Sequence, residues 1–82
     1  AADLGPKNIR VHAISPGPLS TRAGSGIKDF NELIQNAAER APLNKQVDID
    51  DVGALCAFLV GDGARSLTGA TIHVDGGYNI ID

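Results

Sequence analysis

Asn8-Ile9-Arg10-Val11-His12-Ala13-Ile14-Ser15-Pro16-Gly17-Pro18 is the stretch that decides the fold. Its first part is short and dominated by β-branched residues. Ile9, Val11 and Ala13 share one face; His12 and Ile14 lie on the other, with Arg10 at the entrance. Apolar residues on both faces predict a strand over residues 9–14, buried in a parallel sheet. From Ser15 the periodicity stops. Residues 15–26 are mostly Pro, Gly, Ser and Thr, and a long irregular segment of this kind inside a compact unit is usually functional. In open α/β sheets ligands sit beyond the carboxyl ends of strands, which is where this segment begins.

The pattern continues outward from there. Asp29-Phe30-Asn31-Glu32 fits a variant capping box, with Asp29 as N-cap and Glu32 at N3. Phe30, Leu33, Ile34, Ala37 and Ala38 recur at helical spacing. That helix is expected to stop near Arg40, because Pro42 excludes the helical region for Ala41. Residues 43–47 connect to a second helix start at Asp48-Ile49-Asp50-Asp51, where three acids meet the positive end of the helix dipole. Ile49, Val52, Leu55, Cys56, Leu59 and Val60 form an apolar stripe that Phe58 widens. This helix is therefore expected to be buried on much of its surface and to end at Gly61 or Gly63. Leu67-Thr68-Gly69 reads as a turn. Residues 70–75 read as a second strand, with Ile72 and Val74 on one face, and Gly76-Gly77 closes it. At the other end, Ala1-Ala2-Asp3-Leu4-Gly5 reads as a helix tail, with Gly5 as C-cap and Pro6 just beyond.

The order is helix tail, strand, long loop, helix, helix, strand, an α/β pattern with crossover helices. Two strands do not make a stable parallel sheet alone, because such sheets need both faces covered. The expectation is a piece of a longer protein, which by itself neither folds stably nor turns over a substrate. Length agrees, since 82 residues hold one small unit that buries only about 60% of its unfolded surface.

Composition narrows the function classes. Hydrophobic residues at 43% and charged residues at 21% predict a globular chain. Seven basic against ten acidic residues, net −3, argue against a nucleic-acid module, which carries a basic stripe. The longest apolar run, residues 54–60, is far short of the roughly 20 residues of a membrane span. The opening residues lack the basic-then-apolar pattern of a signal peptide. The single cysteine, Cys56, forbids an internal disulfide, disfavours a zinc site and fits a reducing cytoplasm.

Each chemically suggestive position has a plain alternative. Pro16 and Pro18 stiffen the backbone, and Gly17 lets a flat ring approach it. Leu19 would then present backbone N–H and C=O groups, and the Thr21 hydroxyl could bond a phosphate or amide. The alternative is an ordinary strand-to-helix loop. Gly76-Gly77 is either a cofactor-facing turn or a tight exit from a strand. His12 and His73 fit structural roles better than metal ligation, since no third ligand is evident. Cys56 reads as an inert core thiol. Asp48, Asp50 and Asp51 fit helix capping better than a metal. Arg22 and Lys28 could pass an anionic ligand or simply solvate a loop.

The run from Asn8 to Pro18 followed by Thr21 resembles the short-chain dehydrogenase/reductase family, and Leu67-Thr68-Gly69 to Val74-Asp75-Gly76-Gly77 resembles that family's final strand. Within it, residues 17–27 followed by Asp29-Phe30, then Ala38-Glu39-Arg40-Ala41-Pro42-Leu43 and Asp75-Gly76-Gly77-Tyr78, resemble enoyl-acyl-carrier-protein reductases. The resemblance spans the whole chain and implies the C-terminal part of a single Rossmann-type, doubly wound α/β domain. It implies NADH-dependent reduction of the carbon–carbon double bond of an enoyl thioester on acyl carrier protein, in bacterial fatty-acid elongation. By that resemblance Pro16, Gly17 and Leu19 line the nicotinamide and Thr21 contacts the pyrophosphate, so NAD is the expected cofactor. Ala23, Gly24, Ile27 and Phe30 are the expected contacts to the acyl chain, small side chains at 23 and 24 leaving room beside the ring. Residues 48–60 and the last strand would help build a homotetramer.

The family's glycine-rich phosphate loop and its catalytic Tyr and Lys are expected to precede this chain. Tyr78 is not that tyrosine, because it follows the last strand with no Lys at the right spacing. Two other readings stay open: another short-chain reductase, acting on 3-ketoacyl carrier protein or a steroid, and a non-catalytic assembly module.

Overall fold

The computed structural model describes residues 1–19 and 30–81. Two strands, β1 (Ala13–Pro16) and β2 (Thr71–Val74), pair in parallel, and helices α1 (Phe30–Arg40) and α2 (Ile49–Leu59) lie between them in the chain. The register sets Ala13 opposite Thr71, Ile14 opposite Ile72, Ser15 opposite His73 and Pro16 opposite Val74. A parallel pair requires a long crossover, and the helices supply it. This is the expected α/β arrangement.

The first strand starts later than its hydrophobic pattern suggests. Within residues 9–12, Val11 uses both its backbone groups as a strand residue would, but toward a turn. The Val11 N–H donates to Thr68 Oγ1 at 3.0 Å and the Gly69 N–H donates to the Val11 carbonyl at 2.9 Å. Gly69 takes φ +82° to make this approach. Apolar alternation cannot tell a strand partner from a turn partner. At the far end Pro16 belongs to the strand. The bonds to β2 come from alternate residues, Ala13 N–H to the Ala70 carbonyl at 3.2 Å and Gly17 N–H to the Val74 carbonyl at 3.0 Å. Pro16 lies between donors, so its missing N–H costs this ladder nothing. The second strand is also shorter than residues 70–75.

Both helices stand where the periodicity places them. Ile34 of α1 is buried. The Ala41 N–H still bonds the Ala37 carbonyl at 2.9 Å, and Pro42 then stops the helix. Asp29, the expected N-cap, lies outside the described residues. α2 carries a full capping box. The Asp50 N–H donates to Asp48 Oδ1 at 3.2 Å and the Asp48 N–H donates to Asp51 Oδ2 at 2.9 Å. Val60 is its C-cap, with Gly61 next.

Two expectations are corrected. The opening residues do not end in a glycine cap. One turn closes from the Gly5 N–H to the Ala1 carbonyl at 2.9 Å and runs into a 3₁₀ turn, Gly5–Lys7, with Pro6 inside its first turn and Asn8 at φ 61° as its C-cap. Proline suits that first turn because the N–H it lacks would be unsatisfied there, and asparagine tolerates the left-handed region. Nor is α2 buried. Leu59 is its one buried residue, while Ile49, Phe58 and Val60 are 60%, 51% and 81% exposed. Cys56 is exposed as well, so it is no core thiol in this chain.

The reason is geometric. The described helices and strands offer no second layer to cover α2. The chain exposes 5993 Å², against about 4,700 Å² for a closed monomer of its mass. Its radius of gyration is 15.0 Å, against about 12 Å for a compact domain of this length. The molecule is elongated, with extents of 45 × 26 × 20 Å.

Candidate functional site

Backbone from three places meets at the carboxyl ends of the two strands. β1 runs into Gly17-Pro18-Leu19, β2 runs into Asp75-Gly76-Gly77, and the connector after α1 passes beside them. The Leu43 N–H donates to the Gly76 carbonyl at 3.0 Å, which ties the connector to the β2 turn. Gly76 and Gly77 take φ +65° and +92°, a region costly for any side chain. At Gly77 a Cβ would also lie 2.9 Å from Pro42 Cγ. Their reason is therefore a tight, crowded turn, as the plainer reading of these glycines held.

Asp75 organises this turn. Its Oδ1 accepts from the Gly77 N–H and its Oδ2 from the Asn79 N–H, both at 2.9 Å. With its nitrogen toward the carboxylate, the Asn79 side-chain amide reaches the two oxygens at 3.2 and 3.1 Å. His73 Nδ1 stands 3.9 Å from Oδ2. The Asp75 side chain is only 9% exposed, and this set of donors is what a nearly buried carboxylate requires. Sequence reading passed over Asp75, although an Asp immediately before Gly-Gly is a recognised turn signal.

Gly17 has a structural reason to be glycine. A Cβ there would meet Asp75 Cβ at 3.3 Å and Val47 Cγ2 at 3.8 Å. The side of Gly17 that would carry a side chain is thus filled by β2's exit, and its opposite side carries only hydrogen. Pro16 is exposed, and Gly17, Pro18 and Leu19 are half-exposed. At the end of the ladder they make a stiff, largely apolar ledge.

Of the other expected site residues, Phe30 opens α1 and is half-exposed. Thr21, Ala23, Gly24 and Ile27 lie outside the described residues, as do Arg22 and Lys28. A hollow of about 390 Å³ borders the β2 turn, lined by Leu43, Lys45, Val47 and Gly76 among others. A larger one of about 670 Å³ runs between α1 and the connector, past Asn31, Gln35, Asn44 and Lys45, and includes no strand-end residue.

His12 Nε2 lies 3.2 Å from an Arg10 nitrogen. That nitrogen donates to the Leu59 carbonyl at 2.7 Å and to the Ala64 carbonyl at 2.9 Å. Arg10 therefore clamps the C-terminal end of α2, where carbonyls lack helical partners and the dipole favours a cation. No local pattern reveals a contact between residues so distant in sequence. Among the described residues no group of His, Cys, Asp or Glu could hold a metal ion, and no helix is long and apolar enough to cross a membrane.

A parallel strand pair with helical crossovers is a Rossmann-like piece of an α/β fold. A family model described as Enoyl-(Acyl carrier protein) reductase matches residues 1–79. The chain belongs to that family. It is 48% identical over 80 residues to the enoyl-acyl-carrier-protein reductase (NADH) FabI of Bacillus subtilis, covering 98% of this chain and 31% of the relative. It is 47% identical over 81 residues to the Staphylococcus aureus enzyme, named as NADPH-dependent, covering 99% and 32%. The crystal structure of the Bacillus cereus reductase with NADP+ and indole naphthyridinone superposes with a TM-score of 0.94 at 46% identity, over 100% of this chain and 32% of that one. The chain thus spans about a third of the length of these proteins.

Proposed function

We propose that this chain is the C-terminal part of a single reductase domain, in an enzyme that reduces the 2,3 double bond of enoyl thioesters on acyl carrier protein with NADH. The observation that carries this is the family match over residues 1–79, which includes the ledge at the strand ends. A bound nicotinamide dinucleotide supplies the hydride for the β-carbon, and the α-carbon then takes a proton. The residues of this chain bind and orient. Pro16, Gly17 and Leu19 hold the nicotinamide face, with Leu19's backbone at the carboxamide, and Thr21 meets the pyrophosphate. Ala23, Gly24, Ile27 and Phe30 flank the acyl chain. Tyr78 takes no catalytic part: it opens the turn Tyr78–Ile80, with the Arg40 guanidinium 5.8 Å from its ring centre.

The enzyme acts in the cytoplasm as a homotetramer. The uncovered apolar face of α2 supports the assembly, since exposed patches of this kind mark contact surfaces. Relatives of nearly equal identity are named for NADH and for NADPH, so NADH enters as a proposal that a side-by-side assay of the two dinucleotides decides.

The test is an intact mass of the full-length protein, followed by dinucleotide oxidation with a crotonyl thioester. A mass of about three times 8.5 kDa, with crotonyl-dependent NADH loss, is expected. Turnover only with a 3-ketoacyl thioester would move the enzyme to another reductase class. A mass near 8.5 kDa without turnover would favour an assembly module.

A further inference from the structure

We propose that Asp75 is a positioning residue for the cofactor ledge of Pro16, Gly17 and Leu19, a role that rests on the function proposed above. The carboxylate accepts the Gly77 and Asn79 N–H groups, each at 2.9 Å, and so fixes the chain as it leaves β2. The fixed turn is the surface against which Gly17 rests: Asp75 Cβ and Cα lie 3.3 and 3.4 Å from where a Gly17 side chain would begin. The Gly17 N–H bonds the residue just before Asp75, at the Val74 carbonyl, at 3.0 Å. Ledge and turn are therefore in direct contact, held by a side chain in the turn that leaves the other strand. Asp75 itself stands on the filled side of Gly17. A ring approaching the open side does not touch it, so its influence passes through Gly17.

A ring bound face-on is sensitive to the height of its ledge. Without the carboxylate, the Gly77 and Asn79 N–H groups lose their acceptor and the turn loosens. Gly17 then loses its backing. The expected defect is selective for the dinucleotide.

The experiment uses the full-length reductase with three variants: Asp75→Ala, Asp75→Asn and Arg10→Gln. The last releases the C-terminal end of α2, away from the turn, and serves as the control for lost stability. NADH affinity is read by fluorescence titration, alongside KM for crotonyl thioester, kcat and Tm. Asp75→Ala is expected to weaken NADH binding by about 10-fold or more, a cost typical of small misplacements. The crotonyl KM should move by less than about 2-fold, since positioning is lost at the dinucleotide alone. Asp75→Asn keeps one of the two acceptor oxygens and should recover only part of the loss; if the alanine variant does not fold, unchanged NADH affinity in Asp75→Asn would overturn the proposal. Arg10→Gln should lower Tm and leave NADH affinity unchanged. Unchanged NADH affinity in Asp75→Ala would overturn the proposal, as would a loss that tracks Tm equally in the Asp75 and Arg10 variants. A wild-type enzyme that binds NADH but reduces only another substrate would overturn the enoyl assignment and leave Asp75's role standing. One that binds no dinucleotide would overturn both.

Discussion

The turn at the end of β2 and the outer face of α2 reverse the usual division between loops and helices. The turn is irregular, yet it is crowded and its carboxylate is saturated with donors. The helix is regular and fully capped, yet Ile49, Phe58 and Val60 stand open. In a self-contained domain the helix would bury its stripe and the loop would be free. Tightness in an irregular segment indicates that geometry there matters for its own sake. Openness on an apolar face indicates a surface made to be covered. The two regions therefore answer different demands, and substitution can test that separation.

The largest effect is expected in the turn. Gly77→Val places a β-branched residue at φ +92° and drives a side chain into Pro42. The left-handed backbone and the overlap together should cost about 3 kcal/mol or more. Denaturant unfolding of the full-length protein measures it. A loss below about 1 kcal/mol would mean the turn is less confined than its contacts imply.

Arg10→Ala comes next, and it bears on the joint between the two regions. Arg10 donates to two carbonyls at the end of α2 and the turn after it. Bonds from a charged donor are worth about 1.5–3 kcal/mol, and the carbonyls are left unpaired. A loss of about 2 kcal/mol is expected in thermal and chemical unfolding. Arg10→Lys should recover only part of it, because an ammonium lacks the guanidinium's fixed fork.

Phe58→Asn probes the open face directly. If α2 is covered in the assembled protein, the substitution removes a buried ring and should cost about 2 kcal/mol. Light scattering should then show a smaller particle at low protein concentration. An unchanged particle and unchanged stability would show that α2 faces water, and the contrast with the turn would lose its meaning.

How far the sequence carried these conclusions depends on the range of the interactions. The two helices, the acidic cap at Asp48 and the stop at Pro42 rest on neighbours within a few residues, and all were legible; that Asp48 and Asp51 close a full capping box is a finding of the structure. The strand starting at Ala13 was displaced because Ile9, Val11 and Ala13 alternate in one pattern, although a turn pairs with Val11 and β2's approach with Ala13. Arg10's grip on α2 and Asp75's backing of Gly17 join distant parts of the chain, and no local signal encodes them. The exposure of Cys56 and Phe58 was missed for a related reason. An apolar stripe states that a face is to be covered, without stating by what. The roles expected of Pro16, Gly17 and Leu19 rest on the stiffness of the Pro-Gly-Pro run and on resemblance. Thr21, Ala23, Gly24 and Ile27 stand on resemblance alone.

Asp48→Ala should have the smallest effect of these, and it sharpens the contrast from the helix side. Its carboxylate accepts the Asp50 N–H, while Asp51 reaches back to its own N–H. Removing an N-cap acid costs about 1 kcal/mol. Half of the box survives in the variant, because Asp51 still accepts from the backbone at residue 48. The charge near the helix start also falls only from three acids to two, so the dipole contribution changes by a few tenths of a kcal/mol. The expected result is a loss of about 1 kcal/mol in chemical unfolding, with NADH affinity unchanged. The stability loss follows from the helix end being exposed and local. The unchanged affinity follows from the ledge being backed by Asp75 and Val47 rather than by α2's first turn. A weakened NADH affinity in Asp48→Ala would mean that Val47, one residue before the cap, transmits the helix position to Gly17. The turn and the helix would then be one mechanical unit, and the separation drawn between them would fail.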